Sequence, residues 1–449
     1  MTKLFGTDGI RGEAYQPPLD RSTVVRVGEA LAHALAANSP RVLIGRDTRA
    51  SGSDIETWLA CGIAAGGGTS TSAGVVPTPA IAFLTRERDF DAGVVISASH
   101  NPYQDNGIKI FSADGIKSGD TLEQKIETAV AGSARVPAET QNGAGTTTPS
   151  LHLESAYSDH VASSLGDGVT LSGIKIALDC ANGAGYRVGP RLLASQGLDV
   201  VTMFDTPDGE NINRGCGSTA MSDLAAAVPE HGCDLGAALD GDGDRVLLVD
   251  SQGRIVDGDG VLMACARRLK KEGRLTGNSV VATVMSNMAL EVALAADGID
   301  LIRTQVGDKF VAQAMAERNI ILGGEQSGHI IYSDYASTGD GLLTLMQVLR
   351  VMALENQSLD DLAHLEPFPQ VLVNVRVSSQ PQIDDVSEIR EAIAAAERHL
   401  EGRGRVLVRY SGTEPLLRIM MEGPDQEEIE SLTEDVRAVV QQSIGSTKD

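Results

Sequence analysis

Short apolar runs alternate with amphipathic helical segments through residue 366, and this alternation constrains the fold more than any other feature of the sequence. Residues 92–96 and 174–178 have the length and β-branched composition of buried strands, whereas residues 24–35 carry apolar side chains at helical spacing. Further strands are expected at residues 235–239 and at residues 41–44, and the latter is predicted to end at Gly45. Such alternation predicts α/β layers with mainly parallel strands.

The pattern starts again after a small, polar segment at 141–150, which is predicted to be a linker or surface loop, and once more past residue 255. The character of the chain changes at residues 367–369, because the following valines alternate with other residues, as in a half-buried strand. The sequence therefore predicts three successive α/β domains and a smaller α+β domain with an antiparallel sheet. The predicted boundaries are 1–150, 151–254, 255–366 and 370–449.

Acidic residues outnumber basic ones by 61 to 37, which leaves a formal net charge of −24. This charge argues against nucleic-acid partners and against an anionic membrane surface. A small anionic substrate would need a local cluster of Arg and Lys. The five cysteines form no CxxC pair and the N-terminus has no apolar signal core, so we expect a cytoplasmic protein.

The most informative segment is Ser-Ala-Ser-His-Asn-Pro at 97–102, directly after a predicted strand. Functional residues of α/β sheets commonly lie where strands end. Ser99 is a candidate nucleophile, with His100 and Lys109 as candidates for proton transfer or charge pairing. The alternative is an ordinary Asn-Pro turn.

A second segment places three carboxylates, Asp240, Asp242 and Asp244, between glycines and before Arg245. Two such charges about 4 Å apart repel by roughly 4 kcal/mol at an effective dielectric constant of 20, so the cluster favours a bound cation. Oxygen ligands indicate Mg²⁺ or Ca²⁺. A calcium EF-hand is excluded because Arg245 occupies the turn-glycine position. The alternative is a solvated acidic turn.

Two further segments suit a phosphosugar. In Gly-Gly-Glu-Gln-Ser-Gly-His, the side chains of Glu325 and Ser327 could bind vicinal hydroxyls, although a plain glycine-rich turn is the alternative. Lys309 is a nearby cation in the sequence. Residues 409–418 flank a Ser-Gly-Thr turn with two arginines, which is a suitable phosphate cradle or else a hairpin with exposed arginines.

Together these segments resemble the α-D-phosphohexomutase superfamily over nearly the whole chain and in the family's order. The resemblance is carried by residues 5–12, 97–102, 240–245, 324–329 and 409–415. The forms FGTDGIRG, ISASHNP, GGEQSGH and SGTEPLLR are similar to the branch that acts on a hexosamine phosphate. The same chemistry on mannose or glucose phosphates is the alternative.

The resemblance implies a fold of three mixed-sheet α/β domains of similar topology and a smaller C-terminal α+β domain around one cleft. It implies that Ser99 carries a phosphate that also ligates one Mg²⁺ together with Asp240, Asp242 and Asp244. Arg245 would stabilise the charge in transfer, with His100 and Lys109 handling protons. The implied substrate-binding residues are Arg11, Lys309, Glu325, Ser327, His329, Arg409, Ser411, Gly412, Thr413 and Arg418.

The implied reaction interconverts glucosamine 6-phosphate and glucosamine 1-phosphate through a 1,6-bisphosphate. This or a similar hexose bisphosphate would act as activator. The product would supply UDP-N-acetylglucosamine for cell-wall synthesis, and the resemblance leaves a homodimer open. Two other function classes remain at this point. One is a Mg²⁺-dependent phosphatase with Asp240 as nucleophile, and the other is a phosphosugar-binding protein without catalysis.

Overall fold

The computed structural model describes residues 4–6, 8–132, 151–411 and 414–446. The chain forms two compact units, one made of Met1–Met285 with Asp297–His364 and the other of Ser286–Ala296 with Leu365–Asp449. The segment at 141–150 that is predicted to be a linker lies outside the described residues, and the four predicted domain boundaries stay a prediction. Across the described ranges, no helix combines the length and the apolar character needed to cross a membrane.

The first sheet of the larger unit has five strands. Its first helix begins behind Asp20, whose carboxylate accepts the backbone N–H groups of Ser22 and Thr23. The elements are β1 (Ile10–Glu13), α1 (Arg21–Ala34), β2 (Arg41–Arg46), α2 (Gly52–Ala65), β3 (Thr69–Val75), α3 (Thr78–Glu87), β4 (Ala92–Ile96), β5 (Asp105–Ser112) and α4 (Asp120–Gly132).

The prediction that a strand ends at Gly45 is wrong, because β2 continues to Arg46. Gly45 lies under α3, where an added Cβ would stand 2.6 Å from Cδ1 of Ile81. The glycine therefore serves the close packing of a helix on the sheet rather than the end of the strand. The pairing of β2 with β3 shifts in register between Ile44 and Gly45, but β2 continues past this shift.

The second sheet also has five strands and lies in the same unit. The predicted strand at 235–239 is confirmed with the same ends. The elements are α5 (Leu151–Ser163), β6 (Lys175–Asp179), α6 (Val188–Ser195), β7 (Asp199–Met203), α7 (Ser222–Glu230), β8 (Leu235–Leu239), β9 (Val246–Asp250) and β10 (Ile255–Val256).

The third sheet has four strands. The elements of this part of the chain are α8 (Gly258–Lys271), β11 (Ser279–Thr283), α9 (Met288–Ala296), β12 (Asp300–Thr304), α10 (Asp308–Arg318), β13 (Leu322–Gly324), β14 (Ile330–Tyr332), α11 (Gly341–Glu355) and α12 (Leu359–Ala363). Helix α9 belongs to the smaller unit, where the Asn287 side chain before it donates to the carbonyl of Phe368 and to Glu422.

The three sheets share one topology. Their strand orders are β1-β5-β4-β2-β3, β10-β9-β8-β6-β7 and β12-β11-β13-β14. In each, a central strand pairs in parallel with two neighbours, and the second of these pairs with an antiparallel strand that follows it directly in the chain. This confirms three mixed α/β sheets of similar topology. It corrects the expectation of mainly parallel strands, because the first two sheets each have two antiparallel pairs and the third has one.

The smaller unit contains an antiparallel sheet in the order β15-β17-β16, as expected for an α+β domain. Helices α13 and α14 contribute Ile389, Leu400, Val436 and Val440 to a core that the strands complete with Ile419. The elements are β15 (Gln370–Arg376), α13 (Ser387–Leu400), β16 (Arg405–Tyr410), β17 (Leu416–Glu422) and α14 (Gln426–Ile444).

Candidate functional site

Three structurally equivalent connections carry the predicted chemistry of the larger unit. The serine segment joins β4 to β5, the acidic segment joins β8 to β9, and the Glu-Gln-Ser-Gly-His segment joins β13 to β14. Each runs from a parallel strand to its antiparallel neighbour. Backbone hydrogen bonds join the last two connections directly, since Val246 donates to the carbonyl of Gly328 over 3.1 Å. The shared topology thus brings separate parts of the sequence to one place.

Ser99 lies almost completely buried at the head of its connection. Its φ angle of 54° is in the left-handed region, which non-glycine residues adopt rarely and at a cost. The Oγ hydroxyl donates a hydrogen bond of 2.6 Å to Oδ2 of Asp240, and Nδ1 of His100 lies 3.3 Å from the same Oγ. The candidate nucleophile therefore faces the acidic segment.

The three aspartates of the acidic segment are buried, and they offer carboxylate oxygens that all lie within 4.8 Å of one another. The Oδ1 atoms of Asp242 and Asp244 are buried and have no hydrogen-bond partner among the described residues. Buried carboxylate oxygens without a donor are costly unless a cation binds them. The donor set fits a hard divalent cation such as Mg²⁺, with Ser99 beside it.

Lys109 lies in the middle of β5, opposite Val95 of β4, and reaches the same carboxylates. Its Nζ is 2.8 Å from Asp242 and 3.4 Å from Asp244. Burial disfavours the ammonium, but Asp242, Asp8 and Asp244 outweigh that effect and raise the pKa of Lys109 well above its usual value. Lys109 is therefore a fixed positive charge beside the acidic segment.

The environment shifts the pKa values of these carboxylates in different directions. Burial works against ionisation of Asp242, but the contact with Lys109 outweighs it and holds the pKa of Asp242 below its usual range. The hydroxyl of Thr78 also donates to Asp242 over 2.6 Å. Burial and the neighbouring Asp244 and Asp242 raise the pKa of Asp240 well above its usual value. One ammonium does not balance three buried carboxylates, and this imbalance is what a divalent cation corrects.

The remaining predicted residues of the larger unit surround this centre. Nε2 of His329 is 3.8 Å from Asp244 and 3.7 Å from Asp308, and both ring nitrogens are buried without a hydrogen-bond partner among the described residues. Arg245 lies beside Asp244, with its Nε 3.8 Å from the carboxylate. Glu325 accepts a hydrogen bond of 3.2 Å from the backbone N–H of Gly307. Glu325 and Ser327 are partly exposed.

Arg11 and Lys309 have protein partners. Arg11 lies on β1 and pairs with Asp8, and its buried Nε has no hydrogen-bond partner among the described residues. Lys309 is exposed, and its Nζ is 2.6 Å from Asp120 at the start of α4. Of the two, Arg11 is the nearer to the centre, because Lys109 reaches Asp8 as well.

In the smaller unit, Arg409 and Arg418 are direct partners across β16 and β17. Burial and the neighbouring Arg418 lower the pKa of Arg409, and the buried Nε of Arg418 has no hydrogen-bond partner among the described residues. Two adjacent guanidinium groups with an unused donor fit a phosphate. Ser411 lies buried at the end of β16, whereas the predicted residues Gly412 and Thr413 lie outside the described residues.

Reasoning from the sequence missed several groups at this centre. Asp8 and Lys117 are linked by an ion pair, and Lys117 also pairs with Asp308 at the start of α10. Thr78 reaches Asp242 from the start of α3. Asp8 could have been found inside the FGTDGIRG segment, but Thr78 and Lys117 have no local signal, since only the packing of distant elements brings them here.

Family comparisons agree with this geometry. Four successive parts of the chain match the phosphoglucomutase/phosphomannomutase family: residues 2–135 match its α/β/α domain I, 155–253 its α/β/α domain II, 257–368 its α/β/α domain III, and 372–439 its C-terminal domain. The chain therefore belongs to the phosphoglucomutase/phosphomannomutase family of α-D-phosphohexomutases. Its members are mutases, enzymes of the isomerase class, and the predicted resemblance is confirmed.

Within the family, the chain is similar to the phosphoglucosamine mutase of Syntrophotalea carbinolica, with 46% identity over 99% of this chain and 98% of the relative. Among solved structures, a phosphoglucomutase/phosphomannomutase family protein from Burkholderia thailandensis has a TM-score of 0.81 at 23% identity, covering 98% of this chain and 97% of the other. The N-acetylphosphoglucosamine mutase of Aspergillus fumigatus, in complex with GlcNAc-6P and magnesium, has a TM-score of 0.65 at 18% identity, covering 99% and 96%.

Proposed function

We propose that this chain interconverts glucosamine 6-phosphate and glucosamine 1-phosphate, with Ser99 as the phosphate carrier. The observation that supports it most is the hydrogen bond between Ser99 and Asp240, which joins the candidate nucleophile to three buried carboxylates. The hexosamine is supported by the similarity to phosphoglucosamine mutases at 46% identity. The product would feed the synthesis of UDP-N-acetylglucosamine. The free cysteines support a cytoplasmic location for this activity.

In the proposed forward reaction, the phosphoryl group on Ser99 moves to O1 of glucosamine 6-phosphate. The bond from phosphorus to Oγ breaks as the bond to O1 forms, the O1 hydroxyl loses its proton, and Oγ regains one. The resulting 1,6-bisphosphate turns over so that its 6-phosphate meets Ser99. Ser99 then takes that phosphoryl group, and glucosamine 1-phosphate leaves. A hexose bisphosphate would also reload any Ser99 that has lost its phosphate.

The residues of the centre have distinct roles in this proposal. Asp240, Asp242 and Asp244 would hold Mg²⁺, which when bound neutralises charge on the transferring phosphoryl group. Lys109 holds a permanent positive charge beside two of these carboxylates, and Arg245 supplies another beside Asp244. His100, which is 3.3 Å from Oγ, is placed to exchange the proton.

Substrate binding is assigned to the other predicted residues. Glu325 and Ser327 would bind sugar hydroxyls, because they are partly exposed side chains of the third connection that carry a carboxylate and a hydroxyl. Arg409 and Arg418 would bind the phosphate that is not being transferred, since adjacent guanidinium groups recognise phosphate oxygens in pairs. Gly412 and Thr413 complete this cradle in the proposal, and Arg11, Lys309 and His329 are further substrate contacts.

The carrier role is tested by mapping phosphate on Ser99 and by Ser99→Ala. We expect phosphate on the Ser99 peptide of the purified enzyme, and a loss of nearly all mutase activity in the variant. Ser53→Ala is a matched control, because Ser53 is exposed and makes only a weak contact of 3.5 Å with the carbonyl of Ala50. Near wild-type turnover in Ser99→Ala would contradict the mechanism.

The substrate is tested by parallel assays on glucosamine 6-phosphate, mannose 6-phosphate and glucose 6-phosphate. We expect the highest kcat/KM for glucosamine 6-phosphate, with no release of inorganic phosphate. A preference for mannose or glucose phosphate would replace the proposed substrate but keep the mechanism. Steady release of inorganic phosphate would instead indicate a phosphatase.

A further inference from the structure

Arg49 is a buried arginine that none of the assigned roles uses. It follows β2, and only about 1% of its surface is exposed. Its Nε donates to Oδ2 of Asp47 over 2.9 Å, and its backbone N–H donates to Oδ1 of the same carboxylate over 3.0 Å. A buried guanidinium is costly unless its donors are all satisfied, so the destination of its other N–H groups matters.

Those other groups all point to the connection that carries Ser99. Nη2 donates to the carbonyls of Ser99 and Asn101 over 2.9 and 2.8 Å. Nη1 donates to the carbonyl of Asp105 over 2.9 Å and to that of Pro102. The Arg49 guanidinium therefore binds four backbone carbonyls between Ser99 and Asp105. The side chain of Asn213 donates to two of the same carbonyls, those of Ser99 and Asn101.

Asp47, the partner of Arg49, supports the N–H side of Ser99. The hydroxyl of Ser97 donates to Oδ2 of Asp47 over 2.5 Å, and the backbone N–H of Ser99 donates to the Ser97 hydroxyl over 2.9 Å. Ser99 is thus held at both its N–H and its carbonyl, while its φ of 54° lies in the left-handed region. Unfavourable backbone angles persist only where surrounding contacts impose them, and this network imposes them.

Phosphorylation changes what can hold Ser99. The free hydroxyl is anchored by its hydrogen bond to Asp240, but a phosphorylated Oγ has no proton to donate. A carrier that alternates between the two forms must therefore be positioned through its backbone. The contacts from Arg49 to the carbonyls do not involve Oγ, so they are available to either form.

We propose that Arg49 is a positioning residue that fixes the backbone of Ser99 in both the phosphorylated and the free enzyme. This inference rests on the proposed carrier role of Ser99. Lysine cannot substitute for Arg49, because its ammonium is a single point with three donors and cannot span Asp47 and four carbonyls. Small misplacements of a reacting group lower the rate strongly while leaving distant substrate contacts intact.

The test compares Arg49→Lys with wild type in steady-state kinetics and in hydrogen–deuterium exchange of the backbone amides at residues 97–106. We expect kcat to fall by about 10²-fold with KM for glucosamine 6-phosphate unchanged, and exchange in this segment to accelerate. Arg350→Lys is the matched control. Arg350 is a mostly buried arginine that bonds the carbonyl of Leu165 and Glu272, so its loss tests stability without touching the connection.

Asn213→Ala gives a second variant in case Arg49→Lys does not fold. It removes one of the two donors to the Ser99 and Asn101 carbonyls, and we expect a smaller fall in kcat, again without a change in KM. The inference is overturned if the variants lose activity only in proportion to the folded fraction, or if exchange at 97–106 stays at the wild-type rate. Wild-type enzyme without phosphate on Ser99 would overturn the proposed function itself, which is a separate result.

Discussion

At the scale of single residues, the centre is defined by an unequal set of charges. Asp240, Asp242 and Asp244 lie within reach of one another, and Lys109 is the buried ammonium between two of them. Two carboxylate oxygens have no hydrogen-bond partner among the described residues. Such a set needs a compensating charge. Mg²⁺ should therefore stabilise the folded enzyme through these carboxylates, and surface carboxylates should not contribute to that effect.

Asp242→Asn should lose most of the stabilisation that Mg²⁺ gives the wild-type enzyme. A ligand that binds only the folded state adds about 2.7 kcal/mol at 100 times its Kd, and the variant lacks one of three ligand carboxylates. Thermal unfolding in Mg²⁺ and in EDTA measures the difference. Asp223→Asn, at an exposed aspartate of α7, is the control. An equal Mg²⁺ shift in both variants would remove the metal assignment.

At the scale of elements, helices α1 and α2 approach each other closely at two glycines. An added Cβ on Gly62 would stand 2.0 Å from the carbonyl oxygen of Val25, and one on Gly28 would stand 2.4 Å from that of Leu59. Both obstacles are backbone atoms, which cannot move aside as a flexible side chain does. The helical spacing at residues 24–35 predicts α1 well, but it contains no sign of this close approach.

Gly62→Ala should therefore destabilise the enzyme, although alanine is the better helix former by about 1 kcal/mol. Overpacking commonly costs about 1–3 kcal/mol, and the 2.0 Å approach to Val25 puts this variant at the upper end. Chemical denaturation gives the change in free energy of unfolding. Gly132→Ala at the end of α4 is the control, because no atom of the described residues lies within 4 Å of its added Cβ. Equal stabilities of the two variants would contradict this view of the helix pair.

The start of α11 predicts a pH effect. Asp340 caps this helix, accepting from the N–H of Leu343 and from the hydroxyl of Tyr157, and burial raises its pKa to about 6. An unfolded aspartate titrates near 3.9, so the folded state binds the proton more tightly and loses stability as the pH rises from about 4 to 6. The shift corresponds to about 3 kcal/mol.

Asp340→Asn keeps the oxygen that accepts from both donors. In this variant, the free energy of unfolding measured from pH 4 to 7 should depend less on pH than in the wild type. Asp20→Asn at the start of α1 is the control of opposite sign. Despite some burial, donation from Ser22 and Thr23 lowers the pKa of Asp20, so its contribution appears as the pH rises. A wild-type slope in Asp340→Asn would show that another group carries the effect.

At the scale of the whole molecule, the larger unit joins its first and third sheets through charged contacts after β5. Lys117 pairs with Asp8 beside β1 and with Asp308 at the start of α10. Lys309 pairs with Asp120 across the same two parts of the chain, but this pair is more exposed. Partly buried pairs are screened less than exposed ones, so the two should differ in strength.

A double-mutant cycle with Lys117→Met and Asp308→Asn should give a coupling energy of about 1–3 kcal/mol. The cycle with Lys309→Met and Asp120→Asn should give less than about 1 kcal/mol, because both side chains are substantially exposed. Denaturant unfolding of the wild type and the six variants measures both values. A larger coupling for the exposed pair would contradict the assignment of Lys117 as the main connection.

The sequence by itself determined the local and repetitive features of this protein. Apolar periodicity predicted the strands at 92–96 and 235–239 and the final antiparallel unit, and the spacing of Ser99 and the three aspartates indicated phosphoryl chemistry. The strand predictions are confirmed, because each depends on neighbouring residues alone. The resemblance, carried by short segments in order, then predicted the three similar sheets and the family.

Only the tertiary structure decided which distant groups meet. No strand is predicted from the sequence around Lys109, but pairing with β4 makes it a buried strand residue that contacts Asp242. Gly45 and Gly62 are glycines because atoms of other helices lie too close for a Cβ. Arg49 donates to the carbonyl of Ser99, 50 residues away in the sequence. These contacts exist because the fold brings together residues that are far apart in the sequence. A local sequence pattern contains no information about such distant neighbours.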